Sequence, residues 1–264
     1  MSVAVTIRGV TKRYGAAGRQ VVALENVELD IIAGEFVCLL GPSGCGKSTL
    51  LNAIAGFSPP SAGTIEVGGV PVGGPGPDRG MVFQEYALFP WMTVAANVGF
   101  GLEIKGVPRA EIAVRVHRLL EQLHLAEFRA RYPKDLSGGM RQRVAIARIL
   151  ALDSPILLMD EPFGALDALT RSNLQDELLR LWGEFRKTIV FVTHSIDEAI
   201  YLADRIVVLT YRPGTVKRII QVALPRPREA SSPEVSALRR ELIALVMEEQ
   251  TRFQRDESLM VRQD

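Results

Sequence analysis

The sequence predicts an α/β fold with a mainly parallel sheet, an antiparallel β portion at its N-terminus and an inserted helical subdomain. Three observations support this fold. An apolar strand is followed at once by a glycine-rich loop and a helix. Short apolar strands alternate with helices in the second half of the chain, which is typical of a parallel sheet covered by helices. Between these regions the periodicity is mainly helical.

The first third of the chain is predicted to be rich in strands. Residues 2–10 and 21–29 alternate in the manner of half-buried strands. Residues 36–40 form a continuous apolar run, which suits a strand buried on both faces. The glycine-rich loop comes next, and residues 49–55 are expected to form a helix that ends at Gly56.

The remaining elements are predicted from the same two periodicities. A helix that starts at Pro108 carries an apolar face made of Ile112, Val116, Leu119, Leu120 and Leu123. A second helix is expected to begin after Gly139 and to stop before Pro155. Further short strands are predicted at residues 64–67, 81–83, 156–159, 188–193, 205–211 and 215–224.

These patterns predict an α/β domain over residues 1–224 and a helical tail over residues 225–264. The core of the domain comprises residues 1–83 and 154–224, and the helical subdomain covers about residues 84–153. The tail is expected to pack on its own core or on a partner. A membrane-surface role is the alternative, which the mixed charges of the tail disfavour.

Composition excludes several classes of protein. The chain has 264 residues, of which 47% are hydrophobic and 23% charged, so it can bury a sizeable core and is not disordered. A formal net charge of +1 gives no support for wholesale nucleic-acid binding. Cys38 and Cys45 imply no disulfide framework and suit a reducing cytosol. No apolar run reaches the roughly 18 residues of a membrane span, so any membrane role is expected to depend on other chains.

The glycine-rich loop matches the phosphate-binding pattern G-x-x-x-x-G-K-[ST] in full. Its residues are Gly41, Pro42, Ser43, Gly44, Cys45, Gly46, Lys47, Ser48 and Thr49. The glycines let backbone N–H groups point at phosphate oxygens, and the following helix adds its positive end. Lys47 is expected at the β- and γ-phosphates, and Ser48 at Mg²⁺. The alternative, a chance glycine-rich turn, does not explain the strand before and the helix after. The pattern therefore predicts a P-loop mononucleotide-binding core.

Two carboxylates follow the apolar run at residues 156–159. Phosphoryl transfer needs a cation held against the phosphates and an oriented water. Asp160 suits the Mg²⁺ side, and Glu161 suits the water as general base or positioning group. The alternative is a simple helix-start signal.

A second glycine segment, Leu136–Ser137–Gly138–Gly139–Met140, opens a helix shortly before this strand. Taken alone, it is a serine cap at a helix N-terminus. Together with the phosphate loop, Asp160 and Glu161, it resembles the signature of ATP-binding cassette (ABC) ATPases. In that family two subunits pair head to tail, and each signature closes over ATP held by the other. The resemblance implies that Ser137, Gly138 and Gly139 contact ATP across the dimer, while Met140 replaces the glutamine of many members.

The resemblance extends to four single residues, each with an ordinary alternative. Tyr14 matches the aromatic residue that stacks on adenine, or is a strand-end tyrosine. Gln84 matches the Q-loop glutamine near Mg²⁺ and the attacking water, or is a surface residue. Asp167 matches the D-loop at the dimer seam and also suits a helix N-cap. His194 matches the switch histidine at the γ-phosphate, and only its ordered context distinguishes it from an unremarkable histidine.

Residues 89–94, 164–171 and 197–204 are similar to the nitrate, sulfonate and taurine importer branch. This resemblance implies an ATPase at the cytoplasmic face of the membrane, peripheral, with ATP and Mg²⁺ as cofactors. The implied partners are a second copy or a paralogous cassette, transmembrane permease subunits and, indirectly, a solute-binding protein, with no nucleic acid. Residues 89–92 are expected to receive a permease helix or to fill the subdomain core.

Three other functions remain as alternatives. One is the ATPase of another transporter type, either an exporter or a different importer. The second is a soluble ABC ATPase of DNA repair or translation, which usually carries paired cassettes or a long coiled-coil insertion. The third is a small-molecule phosphate-loop kinase, which leaves the signature segment and His194 without roles.

Overall fold

The computed structural model describes residues 2–15 and 20–260, with side chains described as far as residue 254. These residues form two compact units. The core unit combines Ser2–Gly76 with the chain from Thr188 onward, and the middle unit is Pro77–Lys187. The predicted α/β class, with parallel and antiparallel pairing, is confirmed. The predicted domain boundaries stay a prediction.

The elements are numbered along the described part of the chain. The strands are β1 (Val5–Tyr14), β2 (Val21–Ile31), β3 (Phe36–Leu40), β4 (Ala62–Val67), β5 (Val70–Pro71), β6 (Arg79–Val82), β7 (Ile156–Asp160), β8 (Thr188–Thr193), β9 (Arg205–Leu209) and β10 (Val216–Gln221). The helices are α1 (Lys47–Ala55), α2 (Val94–Ile104), α3 (Arg109–Gln122), α4 (Gly138–Ala151), α5 (Ala168–Phe185), α6 (Ile196–Leu202) and α7 (Pro233–Met260).

The core unit contains an antiparallel sheet with the strand order β2-β1-β4-β5. Strand β1 is central and pairs antiparallel with β2 and β4. Val5, Ile7 and Val10 of β1 are fully buried. This is the antiparallel portion that the alternating N-terminal pattern predicts.

The core unit also contains the strands β10-β9-β3-β8, in that order. Strand β3 pairs in parallel with both β8 and β9, and all five of its residues are buried. A strand buried on both faces cannot alternate, which explains its continuous apolar sequence. The carboxyl end of β3 leads directly into the phosphate loop, so this strand positions the loop at the edge of the sheet.

The middle unit joins the parallel strands β6 and β7 to helices α2, α3, α4 and α5. One apolar cluster of this unit includes the predicted face of α3, with Ile112, Val116, Leu119 and Leu120 all buried. Pro108 is the N-cap of this helix, next to the position that the sequence predicts. Met140 of the signature segment packs against the same cluster.

Helix α7 of the tail packs within the core unit, beside α6. Val235 and Leu242 are buried, and Arg239 Nε lies 2.6 Å from Asp197 Oδ1 of α6. No described helix is both long and apolar enough to span a bilayer.

Candidate active site

The phosphate loop connects β3 to α1, and its last glycine determines how the helix begins. Gly46 is the N-cap of α1, in the left-handed region with φ 97°, and no side chain caps this helix end. A Cβ on Gly46 would lie 2.9 Å from the carbonyl oxygen of Ala23. Only glycine suits both the backbone angle and this close approach. Because the N-cap is a glycine, it supplies no side-chain acceptor to the first N–H groups of α1, and a helix start of this kind is suited to an anion.

Lys47 supplies the charge of this loop. Its side chain is buried, and its ammonium Nζ donates to the carbonyl oxygens of Gly41 at 2.8 Å and Pro42 at 3.0 Å. The ammonium is thus held over the loop backbone, beside the positive end of α1. Ser48 and Thr49 lie in the first turn of this helix.

The structure places His194 at the same edge of the sheet as the phosphate loop. Strand β8 runs parallel to β3 with Thr193 beside Leu40, so His194 and Gly41 follow neighbouring strand ends. Thr193 Oγ1 donates to Glu198 Oε2 at 2.6 Å and accepts from the Ser195 N–H at 2.9 Å. These bonds fix the backbone on both sides of His194, whose side chain is exposed.

Tyr14 ends β1 in the core unit. Its ring is 44% exposed, and the ammonium of Lys12 lies 5.1 Å from the ring centroid. The hydroxyl is 3.4 Å from Ser58 Oγ. A strand-end tyrosine with this exposure can stack on a planar ligand.

Asp160 and Gln84 belong to the middle unit, where they follow neighbouring strands. Asp160 ends β7, and Gln84 comes shortly after β6, whose Val82 pairs in parallel with Met159. Glu161 has a left-handed backbone with φ 43°, and its carbonyl oxygen accepts from the Gly164 N–H at 3.1 Å. A non-glycine residue in this region is strained by about 1–3 kcal/mol, and such strain is concentrated at functional sites.

Ser137 and Asp167 are both helix N-caps in the middle unit. Ser137 Oγ accepts from the Met140 N–H at the start of α4. Asp167 Oδ1 accepts from the Thr170 N–H at the start of α5 at 3.0 Å. Hydrogen bonding to the backbone N–H of Thr170 holds the pKa of Asp167 below its ordinary value. Ser137 and Asp167 therefore do cap helices, as the ordinary alternative for each residue predicts. This capping does not exclude a further role at the exposed end of each helix.

These two helix ends lie against each other. A Cβ on Gly139 would lie 2.6 Å from Thr170 Cγ2, and one on Gly138 would lie 3.4 Å from Leu166 Cδ2. The glycines of the signature segment thus allow α4 to pack closely on α5. Ser137 and Asp167 therefore lie at two helix ends that pack against each other.

Two arginines of α4, which the sequence does not single out, hold the segment after Gln84. Arg148 Nη1 donates to the Ala87 carbonyl oxygen at 2.7 Å, and burial lowers the pKa of this guanidinium. The Arg141 guanidinium lies 5.3 Å from the ring centroid of Tyr86. The two arginines are seven residues apart, so they lie on one face of α4. This spacing is the only sign in the sequence that both contact the segment after Gln84.

Comparison with known proteins identifies the family of this chain. The family described as "ABC transporter" matches residues 24–164, which is more than half of the chain. The chain belongs to the ABC transporter family. It is therefore an ATPase coupled to transport, and it binds ATP.

Similar proteins and structures agree with this assignment. The taurine import ATP-binding protein TauB of Chromobacterium violaceum is 47% identical over 91% of this chain and 95% of its own length. The nitrate import ATP-binding protein NrtD of Synechocystis is 49% identical over 84% of this chain and 83% of its own length. A dimeric ATP-binding cassette (MJ0796), solved in a post-hydrolysis state with ADP and Pi, is 36% identical with a TM-score of 0.73. That alignment covers 84% of this chain and 100% of the solved chain.

Proposed function

We propose that this chain is the ATP-hydrolysing motor subunit of an importer for a small anion such as nitrate, a sulfonate or taurine. The observation that carries the proposal is the pair of glycine-dependent helix starts, one at the phosphate loop and one at the signature segment. The named transport activities of the TauB and NrtD relatives support the substrate class. An exporter or a soluble ABC ATPase has no comparable support among these relatives.

Each residue predicted from the sequence is proposed to have its own role toward ATP. The phosphate loop, residues 41–49, holds the phosphates through its N–H groups and Lys47, and Tyr14 stacks on adenine. Glu161 orients the attacking water as general base, and His194 contacts the γ-phosphate. Gln84 would help to hold the attacking water and Mg²⁺. In this arrangement the protein mainly positions groups and stabilises charge, as phosphoryl transfer requires.

Mg²⁺ fits the donors that this site offers. The described residues contain no cluster of three or more His, Cys, Asp or Glu side chains that could hold a metal alone. Mg²⁺ bound with a nucleotide needs only one or two protein oxygens besides the phosphates and water. The Ser48 hydroxyl, the Asp160 carboxylate and the Gln84 amide oxygen supply this chemistry. When bound, the ion would supply positive charge next to the phosphates.

The working form is proposed to be a dimer with a second copy or a paralogous cassette. Ser137, Gly138, Gly139 and Asp167 of one copy would then contact ATP held by the other. The packing of α4 on α5 supports this, because it presents these residues together at one pair of helix ends. The dimeric form of the solved cassette gives independent support.

The permease subunits are proposed to bind beside Trp91, with the chain peripheral at the cytoplasmic face of the membrane. The Trp91 side chain is 70% exposed. Its ring is tilted against the Phe89 ring, with 5.7 Å between the centroids. Exposed aromatic anchors suit a helix-in-groove contact. Arg148 lies over the Phe89 ring at 5.6 Å, so this surface is connected to α4 and its signature end. A solute-binding protein would deliver the anion from the other side.

Glu161→Gln tests this proposal in the complete transporter in vesicles. Because general-base or water-positioning help contributes about 10²–10⁴ in rate, the variant should lose nearly all ATP turnover while it still binds ATP. In solution, the isolated variant chain should also accumulate as an ATP-bound dimer, visible by light scattering. Glu127→Gln, at an exposed site outside the proposed machinery, should behave as wild type. Wild-type vesicles should take up nitrate, taurine or another sulfonate with ATP, and the Glu161 variant should not.

Two results would contradict the proposal. Normal turnover in the Glu161→Gln variant would remove that residue from its role. ATP-driven export, or uptake restricted to cationic or neutral solutes, would overturn the proposed transport direction or substrate class while leaving the ATPase assignment intact.

A further inference from the structure

The tail helix α7 contacts Tyr211, the second residue after the end of β9. Glu249 of α7 has a completely buried side chain. Its Oε2 accepts from the Tyr211 N–H at 2.9 Å, and its Oε1 lies 2.6 Å from Lys217 Nζ. Phe253, one turn further along α7, packs its ring on the edge of the Tyr211 ring at 5.0 Å between centroids. Both the backbone and the side chain of Tyr211 are therefore held by the tail.

The charge of Glu249 is compensated within this contact. Burial opposes ionisation, but the hydrogen bonds from Lys217 and from the Tyr211 N–H outweigh it and lower the pKa of the carboxyl. Arg252 Nη1 is a third donor, 3.4 Å from Glu249 Oε2. A buried carboxylate held by several donors is a rigid anchor, because loss of its partners leaves charge unpaired in the interior. The neighbouring Glu248 also lies 2.6 Å from Lys217 Nζ, but it is exposed, and it is Glu249 that accepts from the Tyr211 N–H.

Tyr211 belongs to a tight loop between β9 and β10, which we call the 210–215 loop. The Thr210 N–H donates to the Thr215 carbonyl oxygen at 3.0 Å. Thr210 Oγ1 donates to the Pro213 carbonyl oxygen at 2.8 Å and accepts from the Thr215 N–H, also at 2.8 Å. These bonds close the loop on itself, so a force on Tyr211 moves the loop as a unit.

The opposite side of the 210–215 loop lies against the phosphate loop. Arg212 Nε donates to the Gly44 carbonyl oxygen at 3.3 Å. A Cβ on Gly214 would lie 2.2 Å from the Cys45 carbonyl oxygen, so the two backbones are in direct contact. The Gly214 N–H also donates to the Ala23 carbonyl oxygen at 3.0 Å. This is the same oxygen that a Cβ on Gly46 would approach to 2.9 Å.

We propose that Glu249 and Arg212 are positioning residues for nucleotide binding: α7 holds the 210–215 loop, and this loop sets the Gly44–Cys45 peptide of the phosphate loop. In a trans peptide the carbonyl oxygen and the next N–H point in opposite directions. Arg212 at the Gly44 oxygen therefore fixes the direction of the Cys45 N–H, one of the donors available to phosphate. That N–H donates to the Pro42 carbonyl oxygen at the long distance of 3.4 Å.

The proposal rests on the proposed function only in taking the phosphate loop as the ATP site. The test uses the full chain with Arg212→Ala, Glu249→Ala and, as a matched control, Glu248→Ala. The two glutamates are neighbours on α7 and both accept from Lys217, but it is Glu249 that also accepts from the Tyr211 N–H. ATP affinity is measured with a fluorescent ATP analogue, KM and kcat from steady-state turnover, and stability from thermal unfolding without nucleotide.

We expect Arg212→Ala and Glu249→Ala to weaken ATP binding about tenfold, the effect of one lost charge-assisted hydrogen bond. KM should rise by the same factor while kcat at saturating ATP stays near that of wild type. Glu248→Ala should bind ATP as wild type does. Arg212 is exposed, so its variant should fold even if removal of Glu249 lowers the unfolding temperature.

Two outcomes separate this proposal from the proposed function. Unchanged affinity in both Arg212→Ala and Glu249→Ala, with wild-type protein binding ATP normally, would overturn the positioning role alone. An equal loss of ATP affinity in Glu248→Ala and Glu249→Ala would show that the effect arises from the charge balance at Lys217. That result would also overturn the positioning role. Failure of the wild-type protein to bind ATP would contradict the proposed function.

Discussion

The N-termini of α1 and α4 both follow glycine-rich turns, yet they are built in different ways. Helix α1 begins at Gly46, which has no side chain that could accept from the first N–H groups. Helix α4 begins at Ser137, whose hydroxyl accepts from the Met140 N–H. The first four N–H groups of a helix need partners from outside its own hydrogen-bond ladder. The start of α1 is therefore suited to an external anion, whereas α4 already satisfies one donor by itself.

The glycines at these two helix starts also have different physical reasons. Gly46 is required by its backbone, because φ is 97° and a Cβ would meet the Ala23 carbonyl oxygen. Gly139 lies inside a helix, and a Cβ there would meet the methyl group of Thr170. The first constraint is a backbone conformation that no neighbouring side chain can relieve. The second is a side-chain contact, which a change at Thr170 can relieve.

The largest expected effect is that of Gly46→Ala. The variant must hold alanine in the left-handed region, which costs about 1–2 kcal/mol, and must also shift the backbone at Ala23. We expect ATP binding to be weakened at least about a hundredfold, since the phosphate loop loses its shape. Binding is measured by isothermal titration calorimetry. Gly73→Ala is the control, because a Cβ there meets nothing within 4 Å, and it should bind ATP normally.

A smaller and reversible effect is expected for Gly139→Ala. Its Cβ would overlap Thr170 Cγ2, and overpacking of this kind typically costs about 1–3 kcal/mol. Thr170→Ser removes that methyl group, so the double variant should regain most of the lost stability in thermal or urea unfolding. If Thr170→Ser brought no recovery, Gly139 would be required for a reason other than this contact, and the contrast with Gly46 would fail.

Much of the fold could be predicted because its strands carry a strong local signal. Strand β3 coincides with the continuous apolar run at residues 36–40, since both of its faces are buried. Helix α2 was not predicted as a separate element. It contains Gly99 and Gly101, which are poor helix formers, and its glycines instead allow close contact with Ile112 and Leu152. Its stability thus comes from packing that the local sequence does not contain.

Helix α6 shows a signal that could have been used. It has only seven residues, too few to establish a periodicity. Ser195 and Glu198 nevertheless form the S-x-x-E pattern of a helix start, and Ser195 does cap this helix.

For the candidate site, sequence patterns predict the residues next to strand ends and helix starts. They do not predict the partners that hold those residues. Arg212 contacts Gly44 across 168 positions of the chain, and Glu249 contacts Tyr211 across 38. Arg148 reaches Ala87 across 61 positions. Such pairs depend on the tertiary arrangement of the elements. The sequence around a single arginine or glutamate does not indicate which distant residue it contacts.

The smallest expected effect is that of Ser137→Ala, and it addresses the comparison between the two helix starts most directly. Loss of a serine cap costs about 1 kcal/mol of stability, and Thr93→Ala, which removes the corresponding cap of α2, should cost a similar amount. Both variants should bind ATP as monomers with wild-type affinity, because neither cap belongs to the phosphate loop. Only Ser137→Ala should lower ATP-dependent dimerisation, measured by light scattering at graded protein concentrations. Equal dimerisation of the two variants would mean that Ser137 is a cap and nothing more, and the start of α4 would then have no ligand to share with α1.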